Sequence, residues 1–165
     1  MKVFEIKPIG VVHSPLKSKS EAPIQPKYSE FQGKIEVFPE FTEGLKDVKG
    51  FSLITVIFVF DRSDGFELLT YPYLGDEKRG VFATRSPYRP NRLGISVLQN
   101  LGIEGRFIEV SGLDILDKTP IIDIKPYVPG FIEKENLTAI RSGWLENCGE
   151  RKDGVKRRRD SEKER

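Results

Sequence analysis

The sequence predicts a mostly β domain, a single closed or nearly closed β-barrel with one or two short helices and a basic C-terminal tail. Three observations lead there. Apolar, β-branched-rich runs are short and are punctuated throughout by Gly, Pro, Asp and Ser, the pattern of strands joined by turns. One brief segment, residues 39–48, carries a helical turn with Leu45 and Val48 on one side. The length of 165 residues suits one core rather than two.

Taken in order, VFEI and IGVV at residues 3–6 and 9–12 read as a strand interrupted at Lys7-Pro8, where proline implies an edge or a bulge. Residues 16–30 lack apolar periodicity and read as an ordered or gating loop held by Pro23 and Pro26. GKIEVF at 33–38 alternates as a strand. FSLITVIFVF at 51–60 is apolar on both faces and requires cover on both sides, from a barrel interior and from an outer layer or a second subunit. It stops at the turn cluster DRSDG. Residues 66–73 give another strand, 81–83 an apolar run, and 94–101 and 105–110 a hairpin-like pair. After the polar cluster 111–120, IIDIKPY alternates and sets Asp123 and Lys125 on one face, because side chains two apart share a side of a strand.

Composition narrows the function. No apolar run approaches the ~20 residues a membrane helix needs, and the first residues lack a secretory-signal pattern. The one cysteine, Cys148, cannot form an internal disulfide, which fits a reducing, cytoplasmic setting. The tail, 150–165, holds eight Lys/Arg against five Asp/Glu, so the body, 1–149, stands at −1 within an overall charge of +2. That tail is expected to be flexible, either a solvated end or a phosphate-contacting arm. A Ser-His-Asp or Cys-His hydrolase is disfavoured by one His and one Cys lying far apart, and neither GxxxxGK[ST] nor GxGxxG occurs. A metal site is not expected, since His13 has no His or Cys partner but the distant Cys148.

The most chemically loaded stretch is RGVFATRSPYRPNRLGISVLQN at 79–100. Arg85, Arg89 and Arg92 stand on a segment that Pro87 and Pro90 keep out of a regular helix. The guanidinium fork suits a phosphate or carboxylate, although a solvated arginine-bearing crossover has the same composition. Similar polar, Gly/Pro-stiffened loops recur at 23–25, 61–63 and 111–120. Converging at one rim of a barrel, they would bind a small zwitterion, Arg meeting a carboxylate and Asp an amine or hydroxyls.

VFATRSPYRPNRLGISV and SGLDILDKTPIIDIKPY resemble the two signature stretches of the TsaA/TrmO family, and IGVVHSP resembles its N-terminal one. The resemblance implies an S-adenosylmethionine-dependent β-barrel methyltransferase that works as a homodimer with its cofactor pocket near the subunit interface. Its implied substrate is tRNA, methylated on the exocyclic N6 of threonylcarbamoyladenosine next to the anticodon. Implied cofactor contacts fall on Pro23, Ile24, Gln25, Asp61, Arg62, Arg85, Ile95, Ser111, Gly112, Leu113 and Asp114. Ile24 stands where the family usually has Arg, Asp61-Arg62 where it has a His-containing pair, and Lys118 where it has Gly. Methyl transfer from a sulfonium is chiefly a matter of positioning, and the acceptor nitrogen must lose a proton. Asp123 with Lys125 is the pair nominated to orient or relay it, against the alternative of an ordinary surface ion pair. The competing functions are a cofactor-binding or tRNA-binding barrel without catalysis, and a methyltransferase on another substrate.

Overall fold

The computed structural model describes residues 2–23, 25–131 and 141–147. Six strands close into an antiparallel barrel: β1 (Gly10–His13), β2 (Gln32–Val37), β3 (Leu53–Val59), β6 (Leu93–Glu104), β7 (Phe107–Ser111) and β8 (Pro120–Pro126). Their order around the wall is β1-β2-β7-β6-β3-β8, with β8 returning to β1. Two further short strands, β4 (Leu69–Thr70) and β5 (Arg79–Gly80), pair as a separate arm.

The inward face of β3 carries Ile54, Val56 and Phe58, and these pack with Val12, Ile35, Leu98, Ile108 and Val110 into one core. Gly94 faces inward beside Phe58. A Cβ there would come within 2.4 Å of the phenyl ring, so glycine makes room for the largest side chain of the core. The outward face of β3 and β6 remains apolar and partly exposed, in cross-strand rows Thr55/Val97, Ile57/Ile95 and Val59/Leu93; Ile95 is 50% exposed.

A bulge decides the face of the β8 residues. Asp123 lies opposite Ile57, but Ile121 lies opposite Phe58, which leaves Ile122 as the extra residue. Strict alternation would set Ile121, Asp123 and Lys125 on one face; the inserted residue lets Ile121 and Ile124 pack on the core while Asp123 and Lys125 stay outside.

The local readings differ from the sequence pattern in three places. Residues 2–9 form no strand, and Val3 and Phe4 are 90% and 77% exposed. The run at 66–73 contributes just the two-residue β4, and Val81–Ala83 is a 3-10 turn rather than strand. Pro72 and the Gly/Asp-rich 74–76 supply too few paired donors for a longer ladder. Helical segments among the described residues are short 3-10 turns, three of which, Pro26–Tyr28, Pro39–Leu45 and Pro129–Phe131, begin on proline, as expected where a missing N–H costs nothing.

The register fixes which loops share an end. His13 pairs with Lys34, Gln32 with Ser111, Val59 with Leu93 and Val11 with Pro120. Loops 14–31, 60–92 and 112–119 therefore leave from the same rim of the barrel. The proposed tail at 150–165, Cys148 and Ile24 lie outside the described residues.

Candidate functional site

The rim is built from side chains that tie the three loops to one another. Asp117 accepts from the backbone N–H of Ser14 at 2.9 Å and from Lys17 Nζ at 2.7 Å. The Asp117 N–H donates to the Leu16 carbonyl at 2.8 Å and the Lys118 N–H to the Val12 carbonyl at 2.7 Å. Arg62 closes the arrangement from the third loop, donating to the carbonyls of Lys17, at 3.1 Å, and of Asp117. Arg62 thus acts here as a clasp between loops 14–31 and 112–119, while Asp61 occupies the exposed turn before it.

A second set of contacts docks the 23–31 segment. The Leu113 N–H donates to the Phe31 carbonyl at 3.0 Å, and Ser29 Oγ donates to the Leu113 carbonyl. Pro23 and Gln25 are half-buried. Gly112 holds φ at +73°, and a Cβ on it would stand 3.6 Å from the Pro26 carbonyl oxygen; the backbone conformation, more than space, requires glycine there. Ser111 Oγ bonds Gln99 Oε1 at 2.9 Å, and Leu113 is sealed in the core. The loops holding Pro23 and Gln25 and those holding Ser111 to Asp114 are therefore neighbours, as the sequence reading expects.

Arg85, Ile95 and Asp114 form the chemically distinctive corner. Arg85 Nη2 donates to the Ile95 carbonyl at 2.6 Å. Ser96 Oγ donates to Asp114 Oδ1 at 2.7 Å. Burial pushes the Asp114 carboxyl up to about 6, opposed by the Ser96 hydroxyl, by its own backbone N–H and by the charge of Arg85. Ser96 is absent from the sequence-based set. The available signal is a lone hydroxyl in the apolar run GISVL at a position that alternation turns inward. Arg89 and Arg92 have other duties: Arg89 Nη1 bonds the Thr84 and Ser86 carbonyls at 3.3 and 3.4 Å, and Arg92 Nη1 bonds the Ser63 carbonyl at 2.5 Å.

Asp123 and Lys125 are not brought to this corner. They form a 2.6 Å ion pair on the outer wall, with side chains 39% and 61% exposed. Asp123 occupies the row Ile95–Ile57–Asp123, two strands from Ile95. His13 is fully engaged, with Nε2 2.7 Å from Glu36 and Nδ1 3.1 Å from Lys118. No group of three or more possible metal ligands converges among the described residues. A concavity of about 230 Å³ bounded by Lys49, Ile103 and Glu109 lies at the opposite end of the barrel, away from every one of these groups.

A guanidinium and a half-buried carboxylate at one rim, backed by close-set backbone and a glycine turn, match the two charges of an amino-acid-like zwitterion. The family described as tRNA-methyltransferase O N-terminal domain matches residues 11–131. A Pyrococcus abyssi protein described as a probable S-adenosyl-L-methionine-binding protein is 50% identical over 141 residues, covering 85% of this chain and 75% of that one. The mouse protein named tRNA (adenine(37)-N6)-methyltransferase is 34% identical over 139 residues, 79% of this chain but 32% of its own length. The crystal structure of TrmO from Pseudomonas aeruginosa superposes with a TM-score of 0.73 at 32% identity, covering 90% of this chain and 66% of that one. Fold and match together define a β-barrel methyltransferase domain. The chain belongs to the tRNA-methyltransferase O (TrmO) family.

Proposed function

We propose that this protein is a methyltransferase that transfers the methyl group of S-adenosylmethionine to tRNA, on the exocyclic N6 of threonylcarbamoyladenosine beside the anticodon, and that it acts as a cytoplasmic homodimer. Its cofactor is S-adenosylmethionine, the ligand for which the archaeal relatives are named; when bound, that cofactor supplies a methyl group activated by a sulfonium. The tRNA reading is supported by the names of the mouse and human relatives. The observation that carries the proposal is the Arg85–Asp114–Ser96 corner. Arg85 is placed to hold a carboxylate, and Asp114 to accept from an amine or hydroxyl. Pro23, Gln25 and the Ser111–Gly112–Leu113 backbone line the adjoining wall, with Ile24 between them in sequence. Arg62 braces that wall through the Lys17 and Asp117 carbonyls, and Asp61, in the exposed turn before it, is assigned to the cofactor's edge.

Dimerisation is favoured by the partly exposed rows Ile57/Ile95 and Val59/Leu93 on the outer wall, because a second subunit would cover them and would border the Arg85 corner. In that assembly Asp123 and Lys125 lie at the edge of the shared face, and a role in orienting or deprotonating the acceptor nitrogen depends on it. Asp123→Asn tests that role: unchanged turnover with unchanged cofactor affinity removes Asp123 from the chemistry and leaves a surface ion pair.

The second reading, a cofactor-binding barrel without catalysis, is favoured by the archaeal relatives being named for binding alone. Labelled S-adenosylmethionine with bulk tRNA, prepared with and without the threonylcarbamoyl group, separates the two. Label incorporated into the modified tRNA alone is the expected result. Cofactor binding by calorimetry with no label in either tRNA would leave the binding reading, and label in both would move the target to another position.

A further inference from the structure

Ser96 is the buried member of the Arg85–Asp114–Ser96 corner, and the methyl-transfer reading assigns it no part of its own. Along β6 the inward side chains are Gly94, Ser96 and Leu98, and Ser96 is 2% exposed, opposite Val56. A hydroxyl in such a place costs about 1–3 kcal/mol when unpaired. Its partner comes from a different segment, the loop after β7, through the 2.7 Å bond to Asp114. The two meet where the β6–β7 ladder would run on past its last pair, Gln99 with Ser111. Three residues further along each strand direction stand Ser96 and Asp114. The contact therefore joins the barrel interior to the rim at a fixed height, and it fixes one oxygen of a carboxylate that is half-buried rather than sealed.

We propose that Ser96 is a positioning residue of the rim: it anchors Oδ1 of Asp114 from inside the barrel and so orients that carboxylate to accept an N–H group of the bound ligand. This rests on the reading of the rim as a methyl-transfer site and deepens it. The N–H group has two possible sources, the ammonium of the cofactor's amino-acid portion and the exocyclic amine of the acceptor base; either requires the same ionised, oriented carboxylate. The groups that act on Asp114 are Ser96 from β6, Arg85 from the 81–92 segment and its own backbone N–H. Removing the hydroxyl takes away a bond to the charged form, so ionisation moves to higher pH.

The test compares the full chain with Ser96→Ala, Asp114→Asn and the double variant. Calorimetry with S-adenosylmethionine alone and turnover on modified tRNA at saturating cofactor are measured from about pH 5.5 to 8, alongside the melting temperature. Ser96→Ala is expected to lose about fivefold near pH 6 and less than about 1.5-fold near pH 8, the span that a pKa shift of one unit produces when it starts from about 6. Loss in the calorimetric arm assigns the N–H to the cofactor; loss confined to turnover assigns it to the acceptor base. Asp114→Asn should abolish the pH dependence, and Ser96→Ala added to it should bring no further pH-dependent loss. A Ser96→Ala effect equal at every pH, or no effect in either arm, overturns the proposal and leaves the methyl-transfer reading standing. Absence of cofactor binding by the unaltered chain overturns both.

Discussion

Lys118 Nζ lies 3.1 Å from Nδ1 of His13, and the lysine reaches it from a left-handed backbone at φ +63°. An ammonium can only donate, so Nδ1 accepts and the imidazole carries its proton on Nε2, which donates to Glu36 at 2.7 Å. Glu36 also holds Arg106 at 2.7 Å. Lys118 thus accepts backbone strain and gains a contact to the barrel wall at a turn where glycine would carry no strain.

Two substitutions separate those terms. Lys118→Ala keeps the strain and loses the contact, and should destabilise by about 0.5 kcal/mol. Lys118→Gly also loses the contact but relieves strain of about 1 kcal/mol, partly offset by the freedom glycine adds to the unfolded chain. Urea denaturation should place the glycine variant within about 0.5 kcal/mol of the parent and no lower than the alanine variant. A glycine variant less stable than the alanine variant would contradict this account.

Arg62, which the family resemblance implies as a cofactor contact, holds the Lys17 and Asp117 carbonyls in the structure. Arg62→Ala should cost about 1 kcal/mol, a modest figure because the guanidinium is exposed. The more telling measurement is hydrogen exchange at the Asp117 and Lys118 amides, whose bonds to Leu16 and Val12 close the same junction. Faster exchange there, with the β3 amides unchanged, is the expected pattern.

The rim carboxylates give opposite pH dependences. Asp117 is held below the ordinary carboxylate range by the Lys17 ammonium, the Ser14 N–H and the charges of Lys17 and Lys118; Glu21 is held low by the backbone N–H groups of Lys17 and Ser18. Their contributions are complete above the unfolded values, 3.8 and 4.5, and vanish as pH falls through the lowered folded ones. Asp114, raised from 3.8 to about 6, binds more protons in the native state across that interval, so stability falls as pH rises through it. Asp114→Asn should therefore stabilise the fold by about 1–2 kcal/mol at neutral pH and by almost nothing below about pH 4. Urea titrations at the two pH values check the sign.

For the proposed dimer, Ile57→Lys places a charge in the centre of the outer apolar rows, next to Asp123, where a single barrel tolerates it. If that face is the interface, two-fold symmetry counts the change twice, roughly 4 kcal/mol and on the order of a thousandfold in dissociation constant. Sedimentation should show a monomer at micromolar concentration; an unchanged dimer would place the interface elsewhere.

The barrel strands were legible because their residues either alternate with period two, as in GKIEVF at 33–38, or run continuously apolar and β-branched, as in Leu53–Val59, and stop at Gly, Pro and Asp clusters. The motif loops were legible as chemistry because arginine, aspartate and proline have no reason to gather in a core. The strand expected at 66–73 was not, because its apolar residues pack outside the barrel, where Phe66, Leu68 and Leu69 stay exposed. Local pattern records propensity but not whether a partner strand arrives.

By itself the sequence determined the class of fold, the polar arginine- and aspartate-bearing loops and the shared face of Asp123 and Lys125, since each depends on neighbours in the chain. The tertiary structure alone decided that a bulge at Ile122 turns that face to the outer wall, that Arg62 ties two loops together, and that Ser96 meets Asp114 eighteen residues away. Closing six strands into a ring fixes which residues of distant segments stand at the same height, and neither spacing nor composition along one chain contains that register.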